Sequence, residues 1–312
     1  MSRMVKAFAP ATVANASAGF DVLGFALENP GDTITCSLRD EPGIVITGIT
    51  GVTSDLPTDP DENTAGVAVQ ALLKKYDLDP GIEMQIEKGI PIVGGMGSSA
   101  SSAVAALVAV NELLDLNLRP LELLPFVLES EKMATGAPHA DNAAPALLGG
   151  FSVIRDSDGS DVLSIPVPVT MTCAIVHPHM QIKTRDARDI LPKEVPMRSA
   201  TRQMGHMAGL ILGLVNNDPD LIRRSLVDEL AEPHRGKLIP GYEEVREAAR
   251  EAGALGCGIS GSGPSMYALC DYPDLALSAG QAMQEAFSAT NLQSDLFVSA
   301  ISQSGAHVIA SE

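Results

Sequence analysis

The chain contains no tryptophan, and aromatic residues of all kinds come to only 4%. Its core must therefore be packed on alanine, valine, leucine and isoleucine, which suits a protein of mixed helices and sheets. Basic residues are also scarce: 21 lysines and arginines stand against 39 aspartates and glutamates, a formal net charge of −18. That imbalance excludes non-specific binding to nucleic-acid backbones, which needs a basic footprint, and it favours solubility through self-repulsion. A local phosphate site built from backbone amides, magnesium and a few cations remains open. Cysteine is sparse: Cys36, Cys173, Cys257 and Cys270 are scattered, form no CxxC pair and read as reduced, mostly buried thiols. The longest apolar stretch, 103–110, is far short of the roughly 20 residues of a membrane span. Arg3 and Lys6 lead into Pro10, Thr12 and Asn15 before any apolar run, so no signal peptide is expected and the cytoplasm is the expected location. There is no internal repeat and no low-complexity tract.

What is present is enough for two domains: 312 residues, 45% of them hydrophobic. Period-two alternation predicts strands over 5–9 and 33–38, with further strands over 43–49, 84–88, 170–176, 266–270 and 296–301. Helices are predicted from the N-cap Asn63 to 76, over 98–114, 121–133 and 197–216, from 218, and over 242–252, where Gly253 is a stop. The elements lack a regular βαβ alternation, which favours an α+β architecture over a doubly wound sheet. The polar turn Asp156-Ser157-Asp158-Gly159-Ser160-Asp161 is the expected domain boundary, or a hairpin tip near one, dividing the chain into 1–155 and 156–312.

The most informative segment is Pro91-Ile92-Val93-Gly94-Gly95-Met96-Gly97-Ser98-Ser99-Ala100. A strand ends, glycines follow, and two serines open a strongly helical run. Gly95 and Gly97 can take backbone angles closed to other residues, so successive amides can turn toward one anion while the helix N-terminus adds its dipole. Ser98 and Ser99 place hydroxyls where a phosphate oxygen or magnesium would sit. No Gly-Lys-Ser/Thr occurs in the chain, so this is not a Walker A loop. Taken alone, the segment also fits a glycine turn with serine N-caps.

A second cluster, Gly256-Cys257-Gly258-Ile259-Ser260-Gly261-Ser262-Gly263-Pro264-Ser265, contains a formal GxGxxG. A dinucleotide fingerprint needs a strand before it and a helix after it. Here a predicted helix precedes and a strand follows, which marks the match as coincidence and suggests close backbone approach to a ligand or another loop, or simply a tight helix-to-strand turn. His177-Pro178-His179 has no carboxylate or cysteine at ligand spacing and is not read as a metal site.

Together with Pro10-Ala11-Thr12-Val13-Ala14-Asn15, these two loops resemble, in order and spacing, the three motifs of the GHMP kinases. Within that family the likeness is greatest to the branch that phosphorylates homoserine. It runs through 15–24, through His139-Ala140-Asp141-Asn142 and the following Pro145, through 184–192, and through Glu232-Pro233-His234-Arg235. Ala16, Ser17 and Met96 depart from the usual Leu, Gly and Leu. Ser17 stands where a glycine conformation is expected.

The resemblance implies a ribosomal-protein-S5-like N-terminal domain, a ferredoxin-like C-terminal domain, and ATP with Mg2+ held between them. It further implies transfer of the γ-phosphate to L-homoserine in threonine biosynthesis, and a homodimer. Carried over residue by residue, the ATP loop covers Pro91, Gly94, Gly95, Met96, Gly97, Ser98, Ser99, Ala100 and Ser101, with Asn63 and Lys88 nearby; Gly261, Ser262 and Gly263 lie near the phosphates. Glu131 would join Ser98 or Ser99 on magnesium, although position alone does not separate it from Glu129. Asn15, Asp21, His139, Asp141, Asn142, Thr184, Arg188 and Arg235 would bind the acceptor, its carboxylate held by the arginines and its ammonium by Asp21 and Asp141. Asp21, Glu131 and Arg188 are the residues expected at the chemistry, with transfer proceeding without a strong general base. Two alternatives are another kinase of the family, with a mevalonate- or shikimate-like acceptor, and a nucleotide-binding regulator that has lost catalysis.

Overall fold

Small and β-branched residues at alternate positions make the first part of the chain a strand, with Val5, Ala7 and Ala9 fully buried along one face. The computed structural model describes residues 3–136, 138–156, 159 and 161–312. In it, strands β1 (Met4–Ala14), β2 (Leu23–Arg39) and β3 (Gly43–Gly51) lead to helix α1 (Thr64–Lys75) and strand β4 (Gly81–Lys88). Helices α2 (Ser98–Leu113), α3 (Pro120–Thr135) and α4 (Ala140–Leu148) precede strands β5 (Phe151–Ile154), β6 (Val162–Ile165) and β7 (Thr172–Pro178). Next come helices α5 (Thr184–Asp189), α6 (Met197–Asn216), α7 (Pro219–Ser225), α8 (Glu232–Arg235) and α9 (Tyr242–Glu251). Strands β8 (Gly256–Ile259) and β9 (Met266–Cys270), helix α10 (Pro273–Ala289), and strands β10 (Ser294–Ala300) and β11 (His307–Ser311) complete the order.

Among the described residues the strands form two sheets. The first runs β11-β1-β2-β4-β3, with β5 paired to the start of β2 and β6 to β5; the second runs β10-β7-β9-β8. Val5, Ile34, Met84, Val69, Val104 and Leu123 belong to the core between the first sheet and helices α1 to α4. Val13, Phe25, Phe151, Ile175, Leu210 and Tyr267 belong to a second core that joins the two sheets to α6. The expected α+β class is the one observed. Strand β1 serves both cores because its register on β2 jumps between Pro10, opposite Gly31, and Thr12, opposite Ala26. Twelve of the sixteen residues of α2 are buried, so the helix is enclosed on all sides. Alanine at 100, 103, 105, 106 and 109 permits this, because short side chains let neighbouring elements close in.

Three expectations change. Residues 256–259 form strand β8, antiparallel to β9, so the second glycine cluster is a strand-to-strand turn and not a helix-to-strand turn. Its glycine content hid the strand, since glycine has little β preference. The polar turn after residue 155 joins the antiparallel pair β5 and β6, as a hairpin tip does; Ser157, Asp158 and Ser160 within it lie outside the described residues. Finally, β6 and β11 sit beyond residue 155 yet pair within the first sheet, so the sheets do not part at that residue. Helix α10 and strands β5, β6 and β11 are not among the elements predicted from the sequence.

The end of β4 is fixed by a buried ion pair. Lys88 Nζ donates to Asp32 Oδ2, to Ser102 Oγ (2.8 Å) and to the carbonyl of Ser98 (3.1 Å). Asp32 Oδ1 in turn accepts from the amides of Gly89 (3.0 Å) and Ile90 (3.2 Å). Lysine and aspartate are 2% and 0% exposed, so neither charge reaches water. The pair ties β2, the end of β4 and the first turn of α2 into one unit. Replacing Lys88 with methionine strands the Asp32 charge. We expect Lys88→Met to cost about 3–5 kcal/mol, read as a lower midpoint in urea; an unchanged midpoint would show that the pair does not hold this junction.

Candidate active site

The loop between β4 and α2 is shaped by left-handed backbone at Val93 (φ 55), Gly95 (φ 76) and Gly97 (φ 69), the last being the N-cap of α2. Glycine is required at 95, where a Cβ would overlap the carbonyl oxygen of Ser260, and at 97, where it would overlap Thr12 Oγ1. The loop is pinned from both sides. Ser260 Oγ donates to the Gly95 carbonyl (2.7 Å), and the amide of Thr12 donates to the Met96 carbonyl (3.1 Å). Its upper surface, with Gly94, Gly95, Gly97, Ser98 and Ser99, lines a cavity of about 830 Å³. The first amides of α2 have no partner within the helix, so this wall presents donors of the kind an anion accepts.

On the far wall stands Glu131, on α3 and 3% exposed. Ser99 Oγ donates to its Oε1, while the Ser98 hydroxyl turns back to the Ile90 carbonyl (3.3 Å). The structure thus pairs Ser99, not Ser98, with the carboxylate, and Glu131 rather than Glu129 lines the cavity. Burial pushes the Glu131 carboxyl up to about 7, partly offset by the Ser99 hydrogen bond. His139 Nδ1 lies 3.9 Å from Glu131 Oε2. Burial, with the neighbouring Arg188 charge, holds the imidazole below its ordinary value, so it is neutral at pH 7.

The acceptor side is built on the turn after β1. Asn15, Ala16, Ser17 and Asp21 all have positive φ, a strained path that non-glycine residues rarely adopt. Asn15 holds the turn in place: its Nδ2 donates to the Gly261 carbonyl (2.9 Å) and its Oδ1 accepts from the Asp21 amide (3.0 Å). Arg188 Nη2 donates to both carboxylate oxygens of Asp21, at 2.9 Å each. Arg235, 5% exposed, donates from Nε to the Ala187 carbonyl (3.0 Å) and from Nη1 to Gly261 (2.9 Å). The two guanidinium groups face one ring, Phe20, at 5.7 and 5.3 Å from its centroid. Arg188 Nε is buried and has no hydrogen-bond partner among the described residues. Asp141, in the first turn of α4 and 3% exposed, has its carboxyl pushed up to about 7 by burial and by the Asp21 charge. Thr184 Oγ1 is 3.5 Å from Ser262 Oγ, and Asn142 Oδ1 accepts from Thr12 (2.8 Å).

One cavity therefore collects Asn15, Asp21, Glu131, His139, Asp141, Asn142, Thr184, Arg188, Arg235, Gly261 and Ser262 with the glycine loop. Not every expected residue is among them. Pro91, Met96, Ala100, Ser101 and Gly263 do not line it. Met96 and Ala100 are core residues, and Ser101 Oγ spends its proton on backbone carbonyls of Pro10 and Gly97. A Cβ at Gly263 would face Ile259, Ile239 and Ile182, away from the loop. Lys88 and Asn63 touch the cavity, but both are committed elsewhere. Lys88 has its three donors engaged by Asp32, Ser102 and Ser98, and Asn63 caps α1 through the Ala65 amide (3.0 Å) while donating to Pro57 (2.8 Å). They support the loop. Lys183 and Arg185 also line the cavity; neither was named as a candidate, although Arg185 falls within the matching segment 184–192.

A carboxyl raised by burial stabilises the fold in its protonated form. For Glu131 that stabilisation is complete below the ordinary value of 4.5 and is lost as the pH rises through about 7. In metal-free protein, the melting temperature of the parent should therefore fall relative to that of Glu131→Gln between about pH 5 and pH 8. Parallel melting curves across that range would refute the assignment.

Comparison with known proteins agrees with this geometry. Residues 63–150 match the model of the GHMP kinases N terminal domain, and residues 210–289 match that of the GHMP kinases C terminal. The chain is 46% identical over 319 residues to the homoserine kinase of Chlorobium phaeobacteroides (strain BS1), covering 98% of this chain and 100% of that one. The crystal structure of homoserine kinase from Cytophaga hutchinsonii superposes with a TM-score of 0.94 at 47% identity, covering 98% and 97% of the two chains. The mevalonate kinase of L. major shares the fold alone, with a TM-score of 0.71 at 17% identity over 93% and 95%. The two loops, the cavity they enclose and these relatives together place the chain in the GHMP kinase family, to which it belongs.

Proposed function

We propose that the protein transfers the γ-phosphoryl group of ATP to the side-chain hydroxyl of L-homoserine, yielding O-phospho-L-homoserine for threonine biosynthesis in the cytoplasm. The observation that carries the acceptor is the pairing of opposite charges on one side of the cavity. Arg188, with an unpartnered Nε, and Arg235 stand beside Asp21 and the buried Asp141. A zwitterion satisfies both halves, its carboxylate taking the guanidinium donors and its ammonium offsetting the buried carboxylates. Mevalonate and shikimate have no ammonium, and they would leave Asp141 uncompensated. The relatives at 46–47% identity bear the homoserine kinase name.

The chemistry needs positioning and charge neutralisation more than covalent help. Amides of the glycine loop and of the first turn of α2 would hold the β- and γ-phosphates. Glu131 and Ser99 offer two hard oxygen donors on one wall of the cavity, a set that fits Mg2+ when phosphate oxygens and water complete its shell. Bound there, Mg2+ neutralises phosphate charge. Lys183 and Arg185 add positive charge to the cavity. Asp21 already accepts from Arg188 at both oxygens, which favours orienting the acceptor over taking its hydroxyl proton, with lone pairs left for the ammonium.

With Mg-ATP, ADP release should depend on L-homoserine and fail with mevalonate, shikimate and threonine, with O-phosphohomoserine identified as product. Release with another acceptor would overturn the roles of Arg188, Arg235 and Asp141, and ATP binding without turnover would favour a regulator. Asp21→Asn should raise the KM for homoserine while keeping kcat within about tenfold. A loss on the order of 10²–10⁴ in kcat alone is what removal of a general base would produce.

A further inference from the structure

Beneath the acceptor turn lies a hydrogen-bond network that the chemistry above does not use. Ser17 is fully buried with φ 54, and its Oγ donates to Glu232 Oε1 (3.0 Å) and lies 2.8 Å from the hydroxyl of Tyr267. Glu232 also accepts from the Ile259 amide (3.0 Å) at Oε1 and from the Tyr242 hydroxyl (2.8 Å) at Oε2. Its own amide donates to Asp228 (3.0 Å). Three donors from three elements thus converge on one carboxylate that is 7% exposed. Burial and the Asp228 charge push its carboxyl up to about 7, and these donors draw it back toward the ionised form. No side chain fits at Gly258, where a Cβ would overlap both Glu232 Oε1 and Ser17 Oγ.

The network closes a ring. Glu232 and Arg235 share the short helix α8. Arg235 Nη1 donates to the Gly261 carbonyl, and so does Asn15 Nδ2, two residues before Ser17. The circuit therefore runs from the turn through Ser17 to Glu232, along α8 to Arg235, and back through Gly261 to Asn15. Arg235, read above as holding the acceptor carboxylate, is a member of it, and Asn15 ties in Asp21 by accepting from its amide. A hydroxyl at 17 does what glycine, usual in the family at this position, cannot: it tethers the left-handed turn to α8.

We propose that Ser17 and Glu232 are positioning residues for acceptor selection, their buried hydrogen bond fixing the span between the turn that carries Asn15 and Asp21 and the helix end that carries Arg235. The inference rests on the acceptor reading above. The span sets how the α-ammonium and α-carboxylate are gripped together, and so how far and in which direction the side-chain hydroxyl reaches toward the transferring phosphate. Loosening it relaxes the choice of length without touching the phosphate loop.

The test compares Ser17→Gly and Glu232→Gln with the parent, using L-homoserine, L-serine (one methylene shorter) and L-5-hydroxynorvaline (one longer). Glycine relieves the positive φ, which offsets part of the cost of the lost hydrogen bonds, so Ser17→Gly should remain folded with a cooperative urea transition. The expected result for Ser17→Gly is a roughly three- to tenfold rise in homoserine KM, with kcat and the KM for ATP within about twofold, as the turn loses its tie to α8. Preference for homoserine over the two homologues should fall by a similar factor. Glu232→Gln should move the same parameters in the same direction. Unchanged KM and preference in Ser17→Gly, or a parallel change in the KM for ATP, would overturn the proposal. Should the parent prefer another acceptor, the acceptor reading fails on the parent alone. The variant-to-parent ratio measured with that acceptor then decides the positioning role.

Discussion

Everything in the site depends on how closely two glycine loops approach each other. Gly95 and Ser260 are 165 residues apart in sequence, yet the Ser260 hydroxyl reaches the Gly95 carbonyl and no Cβ fits between the chains. Ser265 adds a bond from its amide to the Gly94 carbonyl (3.3 Å). This contact joins the loop ahead of α2 to the β8–β9 turn and fixes the first sheet against the second. The phosphate wall and the Gly261 carbonyl, on which Asn15 and Arg235 both settle, are then parts of one rigid surface. Glycine here serves proximity: residues with side chains would hold the loops apart and open the cavity between them.

An acidic protein that binds phosphates must solve its electrostatics locally. The solution is divided between fixed dipoles and a few cations. Amides at the start of α2 need no counter-charge of their own, and Arg188, Arg235, Lys183 and Arg185 gather at one cavity despite a net charge of −18. The same cavity holds two buried carboxyls, Glu131 and Asp141, each raised to about 7. Burial raises the affinity of both for a proton, and an ammonium or a metal cation brought beside them would offset the same burial.

Much of this was legible in the residues themselves. The glycine–serine run before an alanine-rich helix carries its own physics, and the likeness over 10–24, 139–150 and 232–235 brought the acceptor residues into view. What stayed hidden is where each donor is spent. Lys88 and Asn63 lie beside the nucleotide side in sequence terms, but their partners, Asp32 and the Ala65 amide, turn them inward. A motif records which side chains are present, whereas hydrogen-bond satisfaction depends on distant strands that happen to arrive at the same spot. Strand β8 was obscured because Gly256 and Gly258 have no side-chain pattern to read, and β11 because five residues give too short a period. Ser17 was visible as a departure from a glycine position; only the fold supplied Glu232 and Tyr267 to make the hydroxyl useful.

Strand β11 pairs with β1, with Val5 opposite Ser311 and Phe8 opposite His307. The first strand made is thus flanked on one side by the last. During synthesis, β1 stays an open edge while nearly three hundred further residues emerge, roughly 15–60 s at ribosomal speeds. Helices α1 to α4 can gather on the growing sheet well before then, but β11 is added only after all the other strands of the sheet. The nascent chain therefore carries a bare, alternating apolar edge for most of its time on the ribosome, and that interval, rather than the finished fold, is when it is most exposed to pairing with the wrong strand.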